Sequence, residues 1–339
     1  MIKKILSIVI ITVVMMLSIL GCSSVDVIET EKEESIASSL TEINGDKSEE
    51  KLKVVTTIFP QYDFARAIGG EKIDLKMLLH PGTESHSYEP TPQDIIAIQE
   101  CDIFIYVGGE SENWVVGILD SMDTSNMKII SLMDIVETLD EEIVEGMQDN
   151  YDHSHEENHS HEDSEYDEHV WTSPVNAIII IEEISRSFME ADAENAEFYK
   201  NNADNYIMLV DEINTEFKEI VKHGNRKNLI FADRFPFRYF VETYGLEYSA
   251  AFPGCSVGTE ANAATIAFLI NKVKTEQIPV VITIEFSNEK IADVIAEETG
   301  AKKVSFHSAH NVSKDDFEAG ITYVDIMKNN IEVLHEALK

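Results

Sequence analysis

Residues 192–223 read DAENAEFYKNNADNYIMLVDEINTEFKEIVKH, and their pattern decides how the rest of the chain divides. Tyr199, Ala203, Tyr206, Val210, Ile213, Phe217 and Ile220 recur at steps of four and three, which gathers apolar side chains on one face of a helix. No proline or glycine interrupts them before Gly224. The spacing predicts one helix of about 28 residues, roughly 42 Å long at 1.5 Å per residue. The average helix has only ~11–12 residues. The same spacing also suits a coiled-coil seam. A single helix crossing between two lobes fits better, because strand–helix alternation stands on both sides of it.

Upstream, segments 53–59, 72–79, 102–107 and 128–132 read as strands. Residues 60–68 read as a helix closed by Gly69 and Gly70. Thr91 and Pro92 are a cap and first helical residue, and Ser173-Pro174 opens a helix reaching about Met189. Residues 137–168 read as a polar, acidic loop. Downstream, strands are expected at 228–232, 246–251, 280–284 and 302–306. Helices are expected at 237–244, 260–276, 288–299 and 315–338. No sequence repeat links the halves. The expected fold class is α/β: two Rossmann-like lobes with parallel sheets, at 52–191 and 224–339, joined by one long rigid helix at 192–223.

The N-terminus reads as a targeting segment. Lys3 and Lys4 precede an apolar core from Ile5 to Leu20, shorter than the ~20 residues of a spanning helix. Ile19-Leu20-Gly21-Cys22 follows the pattern of a small residue before a cleavage site. The cysteine resembles that of the bacterial lipobox, which makes residues 1–21 a lipoprotein signal peptide and Cys22 the lipidated first residue. At ~0.8 kcal/mol per buried CH₂, two acyl chains give a stable anchor. A plain signal peptide or membrane anchor is the alternative. Residues 22–51 are rich in Glu, Ser, Thr and Asp and poor in aromatics, so they read as a disordered tether.

A formal charge of −37 excludes the basic face that nucleic acid binding needs. It suits a soluble extracytoplasmic protein. Beyond Cys22 only Cys101 and Cys255 remain, with no CxxC, and they read as buried thiols or as one bridge.

Chemistry concentrates in histidines. His86 lies in Pro81-Gly82-Thr83-Glu84-Ser85-His86-Ser87-Tyr88, His169 in Asp167-Glu168-His169-Val170-Trp171, and His307 and His310 follow the run 303–306. Neutral imidazole is the commonest zinc ligand. Open parallel sheets bind ligands at the carboxyl ends of their strands. His86, Asp233, Glu285 and His307 each follow an expected strand, and His169 ends the first half. Core-filling histidines would instead fall within strands or on apolar helix faces.

A second group, His153, His155, His159 and His161, lies among carboxylates in the loop 151–161 and reads as a weak, mobile metal-gathering run or as a solvated loop without a role. It contains a literal H-E-x-x-H at 155–159. With no apolar residue between Tyr151 and Tyr166 to pack such a helix, the protease reading fails. The chain has no G-x-S-x-G, no Walker loop and no strand-linked G-x-G-x-x-G.

Pro81-Gly82 with His86-Ser87-Tyr88-Glu89-Pro90-Thr91-Pro92, Asp167-x-His169-x-Trp171 with Ser173-Pro174-x-Asn176-Ala177, and Phe237-x-Tyr239-Phe240 with Tyr244-Gly245-Leu246 resemble the zinc/manganese solute-binding proteins of ABC transporters. The histidine-rich loop sits between the first two motifs, as in the zinc-specific members. The resemblance spans residues 52–338. It implies two lobes around one bound metal, with His86 and His169 as ligands.

The remaining positions depart from the family pattern. Where a His or Glu is expected three residues before Phe237, this chain has Arg234, which has no lone pair to give. Asp233 is the nearest donor, and His307 stands where the family has a carboxylate. The expected set is His86, His169, His307 and Asp233, four N/O donors suited to tetrahedral zinc. Glu285 and His310 are further candidates. Arg234 is a candidate partner for Asp233 or Glu285, which would leave a three-histidine site open to water. Imidazoles favour zinc as the bound substrate over manganese.

The implied function is a monomeric zinc receptor, not an enzyme, anchored by lipid to the outer face of the bacterial cytoplasmic membrane. It would deliver its ion to an ABC-transporter permease and its ATPase. The alternatives are a surface metallohydrolase with Glu285 or Glu84 as base, and a manganese-binding or adhesin-type receptor.

Overall fold

Two four-stranded parallel sheets form, and they share one strand order. The computed structural model describes residues 51–83, 88–147, 165–256 and 261–339. The expected signal peptide, Cys22, the tether up to residue 50, Glu84, His86 and the histidine run 153–161 lie outside these residues. Residues 51–339 form one compact unit.

The first sheet contains β1 (Leu52–Thr56), β2 (Ile73–Met77), β3 (Ile103–Tyr106) and β4 (Lys128–Ser131), in the order β2-β1-β3-β4. Val54 pairs with Leu75 on one side and Ile103 on the other. The second sheet contains β5 (Asn228–Phe235), β6 (Glu247–Pro253), β7 (Val280–Thr283) and β8 (Lys302–Ser305), in the order β6-β5-β7-β8. The central strands are buried apolar runs, as a sheet covered on both faces requires. In both sheets the winding reverses beside the first strand. Crevices therefore open at the carboxyl ends of β1 and β3, and of β5 and β7.

The helices of the first half are α1 (Phe59–Gly69), α2 (Pro92–Gln99), α3 (Asn113–Leu119) and α4 (Pro174–Ala191). Thr91 caps α2 as its sequence predicts, with its hydroxyl accepting from the Asp94 N–H. The long helix α5 runs Ala196–His223, 28 residues. It buries Tyr199, Ala203, Tyr206, Val210, Ile213 and Phe217 against α1 and α4 on one side. On the other it packs against α6 (Arg238–Tyr244) and the C-terminal helix α10 (Tyr323–Ala337). Its apolar face is thus used within the chain, not as a coiled-coil seam. One core runs through both halves and includes Phe64, Trp171, Tyr206, Phe217, Phe240 and Tyr323. α7 (Ala263–Glu276), α8 (Lys290–Thr299) and α9 (Lys314–Ala319) complete the described helices. None of them is long and apolar enough to cross a membrane.

Three details depart from expectation. The helix expected at 315–338 is two, α9 and α10, broken at Gly320, whose φ of 79° ends the first. The short helix α3 is additional. β5 continues past residue 232 to Phe235, with its pairing irregular between Phe231 and Arg234, so Asp233 and Arg234 lie within the strand.

Candidate metal centre

The loop after β8 organises the centre. Phe306 anchors it, packed against Phe237 and Phe240 with ring centroids at 4.9 and 5.3 Å. Glu285, just past the end of β7, accepts the Ser308 N–H at 2.8 Å through Oε2 and the Ser308 hydroxyl through Oε1. Ala309 then takes a left-handed φ of 60°, a conformation costing a non-glycine residue about 1–3 kcal/mol. Beyond it the loop ties onto the first half. The His310 carbonyl accepts the Phe59 N–H at 3.4 Å, and the Val312 carbonyl accepts the Gly82 N–H at 2.8 Å. The Asn311 amide donates to the His80 carbonyl at 3.0 Å and the Thr83 carbonyl at 2.8 Å. A loop of the second half therefore holds the turn from which the His86 segment departs.

His169 approaches from the first half and is 1% exposed. The Asp167 carboxylate accepts its backbone N–H at 2.8 Å, and Nδ1 lies 3.2 Å from the same oxygen. This pairing assigns the proton to Nδ1 and leaves the Nε2 lone pair available, the arrangement in which a carboxylate orients a metal-binding imidazole. Burial opposes charging the ring. Asp167 first, then Glu168 and Glu141, more than offset it and raise the pKa above the ordinary value.

Trp171 joins the two sides: its Nε1–H donates to the Ser308 carbonyl at 2.8 Å, and its own carbonyl accepts the Tyr323 hydroxyl at 2.9 Å. The rings of His169 and His310 lie against each other, with centroids at 5.6 Å and planes at 76°. A cavity of about 30 Å³ lies here, lined by Thr83, His169, Arg234, Glu285 and His310 among others.

His307 and Asp233 do not line this cavity. His307 Nδ1 accepts the Ala309 N–H at 2.9 Å, which occupies its lone pair, and Asn330 brackets its peptide at 2.9 and 2.8 Å. The left-handed turn at Ala309 brings His310, not His307, to His169. The Asp233 carboxylate accepts the Arg234 N–H at 2.8 Å and a Ser287 hydrogen bond; burial raises its pKa despite both. Among the described residues, no three His, Cys, Asp or Glu side chains converge as a ready-made metal cage.

The sequence reading gave no role to Glu112. It lines an adjoining cavity with Thr57, Trp114, Trp171 and His310. Its carboxylate accepts the N–H groups of Val107 at 2.7 Å and Gly108 at 3.1 Å, and burial pushes its pKa up to about 7. The only signal in the sequence is its place just after the Gly108-Gly109 turn that ends β3. Cys101 and Cys255 are free thiols and make no bridge. Burial raises both pKa values, Cys101 to about 12.

The family model described as the periplasmic zinc-uptake complex component A matches residues 54–337. The high-affinity zinc uptake system protein ZnuA of Bacillus subtilis is 32% identical over 88% of this chain and 92% of its own length. The zinc-binding lipoprotein AdcA of Streptococcus pneumoniae is 30% identical over 86% of this chain, but this chain spans only 57% of that relative. The Zn(II)-bound ZnuA-like domain of Streptococcus pneumoniae AdcA superposes with a TM-score of 0.69 at 28% identity, covering 85% of this chain and 99% of that domain. With two matching parallel sheets, the long helix and a family match over nearly all the described residues, the chain belongs to the zinc-uptake complex component A family.

Proposed function

We propose that this protein is an extracytoplasmic receptor that binds Zn²⁺ between its two sheets and passes it to the permease and ATPase of an ABC importer. The observation that carries this reading is the contact of the His169 and His310 rings, from opposite halves of the chain, over one cavity. The zinc named in the relatives' descriptions supports it. His169 and His310 are the two central ligands, His86 is the third, and Glu285 stands nearest as a carboxylate. His307 and Asp233 brace the loops. Imidazole donors favour zinc over manganese.

In this reading residues 1–21 are cleaved and lipidated Cys22 anchors a tether ending near residue 51. The lobes are 52–191 and 224–339, with 192–223 between them. The histidines at 153–161 gather metal weakly, and the receptor works as a monomer.

Metal analysis and chelator competition on His169→Ala, His310→Ala and His307→Ala test the ligand set. The first two variants lose tight zinc and the third keeps it. Loss in His307→Ala with retention in His310→Ala would reverse the assignment.

A further inference from the structure

We infer that the Phe286 ring is the retention residue of this receptor: it stands at the mouth of the cavity shared by His169 and His310 and, by keeping water out, sets how slowly a bound zinc ion leaves. This inference deepens the receptor reading above and rests on it.

Among the described residues that line the cavity, Thr83 and Phe286 are the exposed ones, one from each half of the chain. His169, Gly254, Ser308 and Asn311 are buried. A side chain that lines a cavity and still meets solvent marks where the two join. The mouth therefore opens beside these two residues, and Phe286, 52% exposed, is the large apolar group there. A lone exposed phenylalanine would by itself need no explanation.

Its backbone supplies a second observation. Phe286 has a left-handed φ of 58°, which bulky residues rarely adopt and glycine adopts freely. Both its neighbours are pinned. The Glu285 carboxylate accepts the Ser308 N–H at 2.8 Å. Ser287 hydrogen-bonds to the Asp233 carboxylate, and its hydroxyl accepts the Glu289 N–H at 3.1 Å. A turn held on both sides fixes where the ring sits. Strained conformations that the surroundings hold in place cluster at ligand clamps, and here the strained residue carries the ring at the mouth.

The size of the cavity gives that ring its work. A volume of about 30 Å³ holds roughly two water-sized groups, so an ion sits there largely stripped of its water. Attraction between the ion and its donors is stronger where water is scarce. Departure requires water to reach the ion through the mouth and replace the protein donors. An aromatic ring at that point offers incoming water no good hydrogen-bond partner. Losing the ring should therefore speed dissociation, while a diffusing ion still meets the same donors on arrival.

Stopped-flow transfer of zinc to a chromophoric chelator, run on the full chain, compares the parent with Phe286→Ala, Phe286→Gly and Phe286→Tyr. Expected is dissociation about tenfold faster in the alanine and glycine variants alike, with association within about twofold of the parent. Phe286→Tyr, which keeps the ring, should release zinc at nearly the parent's rate. Alanine and glycine share the loss of the ring but differ in their tolerance of a left-handed backbone. Equal rates in the two therefore assign the effect to the ring, whereas unequal rates would assign it to the turn and overturn the inference. Parent-like release in both, with tight zinc still bound, overturns it as well and leaves the receptor reading intact. No tight zinc in the parent removes the receptor reading and this inference with it.

Discussion

Asp63 Oδ2 accepts the backbone N–H of Tyr323 at 2.7 Å, joining α1 to the first turn of α10 across 260 positions of chain. The Tyr206 hydroxyl donates to the same oxygen from the middle of α5, and Arg66 donates to the other. One buried carboxylate thus ties both halves to the helix between them.

Removing it should loosen that junction. Asp63→Ala would leave the Tyr206 hydroxyl and the Tyr323 N–H buried without their acceptor. Deleting one member of a buried charged network costs about 3–5 kcal/mol. At ~2–4 °C per kcal/mol for a domain of this size, Tm should fall by on the order of 10 °C. Thermal unfolding checks this, and an unchanged Tm would show that the carboxylate is not the tie.

The long helix, the parallel sheets and the placing of Glu285 and His307 just past the ends of β7 and β8 were legible in the sequence. The helix shows as an unbroken 4–3 spacing over 192–223, and the strands as short apolar runs, three of them followed directly by Gly108, Asp233 or Glu285. That His310, not His307, lies against the His169 ring was not legible. This contact turns on a left-handed φ at Ala309, a residue with no intrinsic preference for it. The conformation is imposed by Glu285 gripping Ser308 and Asn330 gripping His307, both 23 positions from their partners. The positions of Asp233 and Arg234 were hidden similarly, because the irregular pairing of β5 arises from its neighbours in the sheet.

Glu112 should make the metal-free protein's stability depend on pH. Burial lifts its pKa from the ordinary 4.5 to about 7. A carboxyl raised on folding adds stability that is fully present below about pH 4.5 and lost as pH rises through about 7. Denaturant titrations of the parent protein and Glu112→Gln should therefore diverge across that window, the parent losing stability relative to the variant as pH rises. Parallel curves from pH 4 to 8 would show that Glu112 titrates normally.

Asn311 links the two halves at the mouth of the cavity, and Asn311→Ala should act on release more than on folding. The substitution removes the Asn311 donor from the His80 and Thr83 carbonyls, although the Thr83 N–H and hydroxyl still donate to that of His80. Each such hydrogen bond contributes ~1 kcal/mol. The expected stability loss is about 1–2 kcal/mol, with zinc dissociating roughly tenfold faster because the turn leading to His86 is no longer held. Stopped-flow transfer of zinc to a chelator measures this, and an unaltered off-rate would separate the 80–83 turn from retention.

Gly254 is the most direct steric probe of His169. It lies just past β6, and an added Cβ would meet the Phe235 carbonyl oxygen at 2.8 Å and both Asp167 Oδ2 and His169 Cε1 at 3.2 Å. The first contact is with backbone, so the strand end must shift. The other two press on the imidazole and on the carboxylate that fixes its tautomer. If His169 is a ligand as proposed, Gly254→Ala should therefore weaken zinc binding at least tenfold, since an imidazole displaced by a few tenths of an ångström loses its aim while the core beneath it stays packed. Chelator competition reads the affinity and far-UV circular dichroism the fold. Parent-like affinity would mean that His169 tolerates displacement and that the cavity is not preorganised around it.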